Sequence, residues 1–314
     1  MVNVTMHGDS DIGRVRRINE DNFRLIPSCP AVVVCDGMGG HAAGEIASQR
    51  AVETIEAYLL GGSSIAPPPP GLLPAGLDSL SVEALELVWA VRLANRRVFQ
   101  TAQTQRQMRG MGTTLVATRF VPGYAIICHV GDSRAYRFRG GRLEPLTVDH
   151  SLVAELVAQN EITPEQARTF ADRNIITRAL GTRPVVAVDV NVVPLRPGDW
   201  YVLCSDGLSG TIRDEEIAAI LSRQGQSAAR AVGELIAAAN AAGGPDNITV
   251  AIAEIDDVDE PVEGRQKTET VPEPSDTVAD QESGALDALF PGVKGSATVP
   301  EAQTDRIRID PSLL

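Results

Sequence analysis

The chain has 314 residues, 43% of them hydrophobic, which is enough apolar material for one large domain or two small ones. No apolar run reaches the roughly eighteen residues of a membrane-spanning helix, and the opening MVNVTMHGDSD lacks the basic-then-apolar pattern of a signal peptide. The net charge of −13 argues against a nucleic-acid binder, because phosphate backbones are met by basic surfaces.

In chain order, GRVRRINEDNF (13–23) reads by itself as a solvated turn carrying Arg16, Arg17, Glu20 and Asp21. AVVVCD (31–36) is β-branched and apolar, as a buried strand is, yet it ends on Asp36 and runs straight into three glycines within four positions. GEIASQRAVETIEAYLL (44–60) follows a helical pattern. Four consecutive prolines in GGSSIAPPPPGLLPAG (61–76) fit neither a helix nor a central strand, so an exposed loop is predicted, with a ligand for a proline-reading domain as the weaker alternative. SVEALELVWAVRLANRRVFQTAQ (81–103) is a second helix, whose stripe Val82, Leu85, Trp89, Leu93, Arg96 is apolar until its last member.

Further strands are predicted at TTLVATRF (113–120), YAIICHVGDSRAYRF (124–138), VVAVDVNVV (185–193), WYVLCSD (200–206) and NITVAIAEI (247–255). Short turns such as VPG and RGG join neighbouring runs and favour antiparallel pairing. Thr163-Pro164-Glu165-Gln166 is a capping box with proline at the first helical position, and DEEIAAILSRQ (214–224) and SAARAVGELIAAANAA (227–242) are helical. Strands in clusters with helices apart from them predict an α+β layered sandwich. The four cysteines (29, 35, 128, 204) have no CxxC spacing and read as small reduced core residues, which suits a cytoplasmic protein. From Asp257 onward there are 13 Asp/Glu against 5 Lys/Arg, a net of −8 that leaves −5 for the rest. That composition, rich in Pro, Thr, Glu and Ser, predicts a domain over 1–256 and an acidic disordered tail over 257–314. An apolar island in the tail, ALDALFPG (285–292), is a candidate docking motif for a partner.

Asp206 in YVLCSDG, Asp132 in HVGDSR and Asp246 in GGPDNITV repeat the pattern of Asp36, an acid at a strand edge beside glycine or a turn. Any one is as well explained by a cap or a turn. Four gathered together would repel, and burial would add to the cost, unless a divalent cation neutralised them. No Cys/His pair has zinc spacing, so an all-oxygen site for Mg²⁺ or Mn²⁺ is expected, with the backbone at Gly37 able to approach the ion. A nucleotide-cradling loop is the alternative for the glycines, but GK[ST] is absent and the GxGxxG spacing does not fit. Beside such a cluster, one arginine of the 13–23 stretch can grip a phosphate while an acid orients water.

Taken together, R-x-x-N-E-D (Arg16, Asn19, Glu20, Asp21), D-G-M-G-G-H-x-x-G-E (Asp36 to Glu45), M-G-T-T-L (Met111 to Leu115), V-G-D-S-R-x-Y (Val130 to Tyr136), S-D-G-L (Ser205 to Leu208) and G-P-D-N-I-T (Gly244 to Thr249) resemble the bacterial branch of the PPM (type 2C) metal-dependent serine/threonine protein phosphatases. The resemblance covers nearly all of residues 5–255 in family order and implies a four-layer α-β-β-α sandwich with two central antiparallel sheets. It implies that Asp36 bridges two Mn²⁺ or Mg²⁺ ions, with the Gly37 carbonyl on one, and that Asp206 and Asp246 complete the direct ligands. Asp132 would bind a third ion together with Asp206. Glu20 and Asp21 would hold metal waters by hydrogen bonds, and Arg16 would hold the substrate phosphate.

The implied activity is hydrolysis of phosphoserine and phosphothreonine in proteins by metal-activated water, reversing bacterial Ser/Thr kinase signalling. A pseudophosphatase that binds phosphoproteins without turnover is the alternative, and a two-metal nuclease is disfavoured by the acidic balance. Met38 stands where eukaryotic relatives place a histidine after the D-G pair, and His41 has no geometric claim to the role of general acid, so the resemblance supplies no proton donor for the leaving group. The segment 145–181, with His150 and Ser151 near its start, resembles the flap of bacterial members, where substrate choice and a third-metal ligand are expected. His7 and His129 read as strand residues.

Overall fold

A computed structural model of the protein describes residues 2–39, 43–66, 68, 81–258, 267–273 and 276–290. In chain order the elements are β1 (Val2–Asp11), β2 (Asp21–Ile26), β3 (Ala31–Met38), α1 (Ala43–Ala57), a single turn α2 (Ser63–Ile65), α3 (Val82–Thr104), β4 (Gly112–Thr113), β5 (Leu115–Val121), β6 (Tyr124–Val130), β7 (Arg134–Arg139), β8 (Arg142–Pro145), α4 (Leu152–Ala158), α5 (Pro164–Arg168), β9 (Val188–Pro194), β10 (Trp200–Cys204), α6 (Asp206–Ser209), α7 (Asp214–Leu221), α8 (Ala228–Ala241), β11 (Ile248–Val258), β12 (Lys267–Val271) and α9 (Asp276–Leu289). Among the described residues, no helix is long and apolar enough to cross a membrane.

The strands form two antiparallel sheets, ordered β1-β11-β10-β7-β8 and β12-β9-β6-β5-β3-β2, with β4 pairing β3. Period-two alternation decides the layers. Along β3, Val33 and Cys35 pack with Trp89 and Leu93 of α3, whereas Val32 and Val34 face Tyr201, Leu203 and Ala251 of the other sheet. The opposite face of that other sheet (Val202, Val250, Ile252) packs on α7 and α8. The order is therefore helices, sheet, sheet, helices, as the resemblance implies.

Three parts differ from the sequence reading. The run 124–138 divides into β6 and β7, which belong to different sheets. Gly131 makes the break: its φ is +113°, and a Cβ there would lie 2.7 Å from Thr114 Cβ, so only glycine fits. Strands β1, β2 and β8 have polar or mixed sequences and were not predicted; tertiary pairing rather than propensity makes them. The loop expected over 61–76 begins instead as a continuation of α1. Residues 58–62 form a wide helical turn, α2 follows, and the buried Ala66 carbonyl accepts from Trp89 Nε1 at 3.1 Å. Most of the proline run lies outside the described residues.

The tail also departs from expectation, because residues 267–271 and 276–289 are ordered against the domain. β12 pairs with β9, and α9 packs on α3 with Leu286 buried and Leu289 and Phe290 partly buried. Glu282, 1% exposed, has no hydrogen-bond partner for either oxygen among the described residues, and burial pushes its carboxyl up to about 8 against the attraction of Arg92 and Arg96. Arg96 Nε donates to Ser283 Oγ at 3.0 Å, Arg92 donates to the Pro272 carbonyl, and Arg97 sits 4.0 Å over the Phe290 ring. Those pairings explain why the α3 stripe ends on Arg96. Composition averaged over the whole tail hid this segment. The tail's TVPE sequence occurs twice, at 270–273 and 298–301, and the second copy lies outside the described residues.

Because the contact is an apolar one, Leu286→Ala should lower the unfolding free energy by about 2 kcal/mol. Asp287→Ala on the exposed side of the same helix should change it by less than about 0.5 kcal/mol. Chemical denaturation of the full chain measures both, and equal effects would mean that α9 is not docked.

Candidate metal centre

Register carries the acids to one place. Within one sheet, Asp21 of β2 is directly opposite Asp36 of β3. In the other, the end of β10 faces both the start of β11 (Cys204 opposite Val250) and the start of β7 (Cys204 opposite Arg134), so Asp206, Asp246 and Asp132 flank the same sheet edge. The two edges are joined at Asp21, whose Oδ2 accepts from Ser205 Oγ and Thr249 Oγ1, each at 2.7 Å. Asp36 and Asp206 lie within hydrogen-bonding range of one another.

Local backbone holds each acid. Thr114 N–H donates to the Asp36 carbonyl at 2.8 Å, and Asp36 N–H donates to Thr114 Oγ1 at 3.0 Å. At Gly37 a Cβ would overlap the Gly44 carbonyl, so the chain after β3 can pack this closely only without a side chain. Gly207 is equally confined, since a Cβ there would overlap the Asn247 carbonyl oxygen. Asn247 ties down the N-terminal loop: Glu20 N–H donates to its Oδ1 at 2.8 Å, and its Nδ2 donates to the Ile12 and Ile18 carbonyls at 3.0 Å each. Ser205, Asn247 and Thr249 are thus supporting residues that sequence reasoning did not single out. They stand inside the quoted motifs, beside the acids, and that adjacency was the available signal.

Arg16 projects over this cluster from an exposed loop, its Nη2 on Asp246 Oδ2 at 2.6 Å, while Arg17 is exposed, as expected for a surface charge. A cleft of about 770 Å³ is lined by Arg16, Asp132, Asp206 and Asp246, together with Val153, Val157 and Ala167 of the 145–181 segment. One wall is therefore charged and the other largely apolar. Met38 pairs with Gly112 in the short β3–β4 ladder and offers no titratable proton. His41 lies outside the described residues.

Burial and mutual repulsion dominate the electrostatics. Desolvation, followed by Asp21, Asp206, Asp132 and Asp246, pushes Asp36 well above the ordinary carboxylate range. Asp21 is pushed up to about 7 by burial, against the hydrogen bonds from Thr249 and Ser205. Asp132 also rises to about 7, through burial and then Asp206, and Glu20 and Asp206 rise for the same first reason. Among the described residues, four buried carboxylate oxygens here have no hydrogen-bond partner: Glu20 Oε1, Asp21 Oδ1, Asp132 Oδ1 and Asp206 Oδ1. Orphaned, crowded oxygens of this kind are costly alone and well suited to a hard divalent cation. The donor set fits Mn²⁺ or Mg²⁺.

The protein phosphatase 2C family model matches residues 14–243. The serine/threonine phosphatase stp of Listeria welshimeri is 37% identical over 257 residues, 79% of this chain and 96% of that protein. The crystal structure of the Mycobacterium tuberculosis serine/threonine phosphatase PstP/Ppp superposes with a TM-score of 0.69 at 36% identity, covering 82% of this chain and 100% of the other. A crystal structure of the PstP catalytic domain in complex with 2 manganese ions gives a TM-score of 0.66 at 36% identity over 81% of this chain and 99% of that one.

Asp21 provides a test of the electrostatics in protein stripped of divalent cations. Its raised pKa contributes stability that is complete below the ordinary value of 3.8 and is lost as pH rises through about 7. Asp21→Asn should therefore melt higher than the parent at about pH 8, and the gap should close by about pH 4. Added Mn²⁺ should raise the Tm of the parent more than that of the variant. A gap that does not depend on pH would contradict the buried-carboxylate account.

Proposed function

The chain belongs to the protein phosphatase 2C family, and from that premise we propose that it is a metal-dependent phosphatase acting on phosphoserine and phosphothreonine in proteins. The observation that carries this reading is the convergence of Asp21, Asp36, Asp132, Asp206 and Asp246 from separate strand ends, with orphaned oxygens, beneath an arginine at the mouth of a cleft. Asp36, the Gly37 carbonyl, Asp206 and Asp246 are the residues to hold two Mn²⁺ or Mg²⁺ ions, and Asp132 with Asp206 those to hold a third. When bound, the ions supply the positive charge that makes a water acidic enough to attack near neutral pH.

The protein's own groups do the rest. Glu20 and Asp21 accept hydrogen bonds from water and orient it, Asp21 being fixed by Ser205 and Thr249. Arg16, on its exposed loop, exchanges Asp246 for two phosphate oxygens; its planar fork matches them and stabilises the charge that moves toward the leaving alkoxide. The apolar wall of the cleft, Val153, Val157 and Ala167, receives the peptide around the phosphorylated residue. Cys128 and Arg134 have the C-x₅-R spacing of a cysteine phosphatase, but Cys128 is a free thiol buried within β6, where burial pushes it well above the ordinary thiol range, and Arg134 is paired with Asp149 at 2.7 Å.

Phosphoproteins made by a Ser/Thr kinase in the cytoplasm are the proposed substrates. The apolar island 285–292 expected to dock a partner packs on α3 through Leu286, Leu289 and Phe290, so partner docking by this segment is proposed instead for its exposed polar face, Asp280, Gln281 and Asp287. Charge reversal at Asp280 and Asp287 should then slow turnover of a phosphoprotein partner and leave a small aryl phosphate unaffected; equal rates on the protein substrate would remove that role.

The main reading is tested with p-nitrophenyl phosphate and a phosphothreonine peptide. Both should be hydrolysed with Mn²⁺ and neither after chelation, and Asp206→Ala should cost on the order of a hundredfold or more. Tight binding of the phosphopeptide without turnover would instead support a pseudophosphatase, a reading that the complete set of acids disfavours.

A further inference from the structure

His129, His150 and Asp189 lie together, with ligand atoms within 4.8 Å of one another and both imidazoles buried. Their composition is that of a metal site, but the hydrogen bonds assign the nitrogens differently. Gly131 N–H donates to His150 Nδ1 at 3.0 Å, so that nitrogen is unprotonated and the proton sits on Nε2. From there it is donated to Asp189 Oδ2 at 3.2 Å. His129 Nε2 faces the Gly131 carbonyl at 2.9 Å and must therefore be the donor. The charge that balances Asp189 is Arg178, whose Nη1 donates to Oδ1 at 2.7 Å. Among the described residues only His129 Nδ1 is left uncommitted, and a guanidinium already occupies the carboxylate.

What the cluster grips is Gly131. Its N–H is held by the His150 ring, and its carbonyl by the His129 ring and by His150 N–H at 2.8 Å. The two rings stack, with centroids 4.2 Å apart, and burial with His150 alongside pushes His129 down to about 4, so it stays neutral. Both backbone groups of the left-handed residue immediately before Asp132 are thus fixed by side chains. The same His150 opens the 145–181 excursion, and Arg178 closes it. Asp189, on β9, ties the two ends together, helped by Thr177 N–H on the His150 carbonyl at 2.9 Å.

We propose that His150 and Asp189 are positioning residues for the reaction: Asp189 orients the imidazole, the imidazole fixes the Gly131–Asp132 turn, and the same carboxylate clasps the base of the flap. The proposal rests on the reading of Asp132 as an acid that binds a metal ion. It makes a cluster outside the lining of the cleft a determinant of cation affinity and of flap order.

The full chain is the test material. Asn at 150 can keep a carbonyl oxygen near the Nδ1 position, whereas Gln reaches toward the Nε2 position and leaves Gly131 N–H without its acceptor. His150→Gln should weaken the weakest Mn²⁺ site seen by calorimetry about tenfold, in the range expected when a group supporting a ligand is removed. The loss in kcat/KM should be larger at limiting than at saturating Mn²⁺, and trypsin should cut faster at Arg168 and Arg173. His150→Asn should recover most of the Mn²⁺ affinity, and Asp189→Asn should speed the tryptic cuts. A folded His150→Gln protein with the parent's isotherm and cleavage rate overturns the proposal, as does an Asn variant as weak as the Gln one. If His150→Gln does not fold, Asp189→Asn decides by the same two measurements. A parent protein that binds Mn²⁺ yet hydrolyses neither substrate would remove the phosphatase reading and leave the calorimetric comparison standing.

Discussion

The repulsion among five aspartates at one pair of sheet edges is the constraint on which the rest of this structure depends. Desolvation first, and then their charged neighbours, raise the proton affinity of Asp21, Asp36, Asp132 and Asp206. A fold selected for stability alone would scatter them. Here every neighbouring element keeps them together: a register that sets Asp21 opposite Asp36, a serine and a threonine that spend their hydroxyls on Asp21, and an arginine on Asp246. Counter-charge offsets that cost, so binding of a cation at these acids is coupled to the stability of the fold.

Antiparallel stacking is what makes the convergence possible. In such sheets neighbouring strands start and stop at the same edge, so acids separated by more than a hundred residues meet without any long crossover. The glycines make the approach close enough. Gly37 and Gly207 stand where a Cβ would overlap a carbonyl, and Gly131 adopts a backbone that no other residue holds comfortably. The acid and the glycine beside it therefore form one device, in which the first supplies charge and the second lets the backbone carry it into position.

The segment beyond the family domain shows how composition can mislead. Over 257–314 the chain is acidic and polar, yet β12 extends a sheet and α9 seals two arginines of α3. The attraction is specific rather than average. Arg96 donates to Ser283 and Arg92 to the Pro272 carbonyl, and Leu286, Leu289 and Phe290 complete an apolar contact. β12 also lies beside the strand that bears Asp189, with Thr270 in register opposite it, so the added segment and the flap anchor share one strand.

By itself, the sequence determined the layer architecture, the main strands and helices, and the identity of the acids, because β-branched periodicity, capping boxes and Asp-Gly pairs are local signals. It also carried the order of six motifs, which is what made the resemblance specific. Only the tertiary structure decided which strand neighbours which, that Ser205, Asn247 and Thr249 support the acids, that two histidines grip a glycine rather than a metal, and that Arg96 faces a tail instead of solvent. Those outcomes depend on residues distant in the chain and close in space. Hydrogen bonds and burial between such residues leave no periodicity in the sequence, so only the packed chain reveals them.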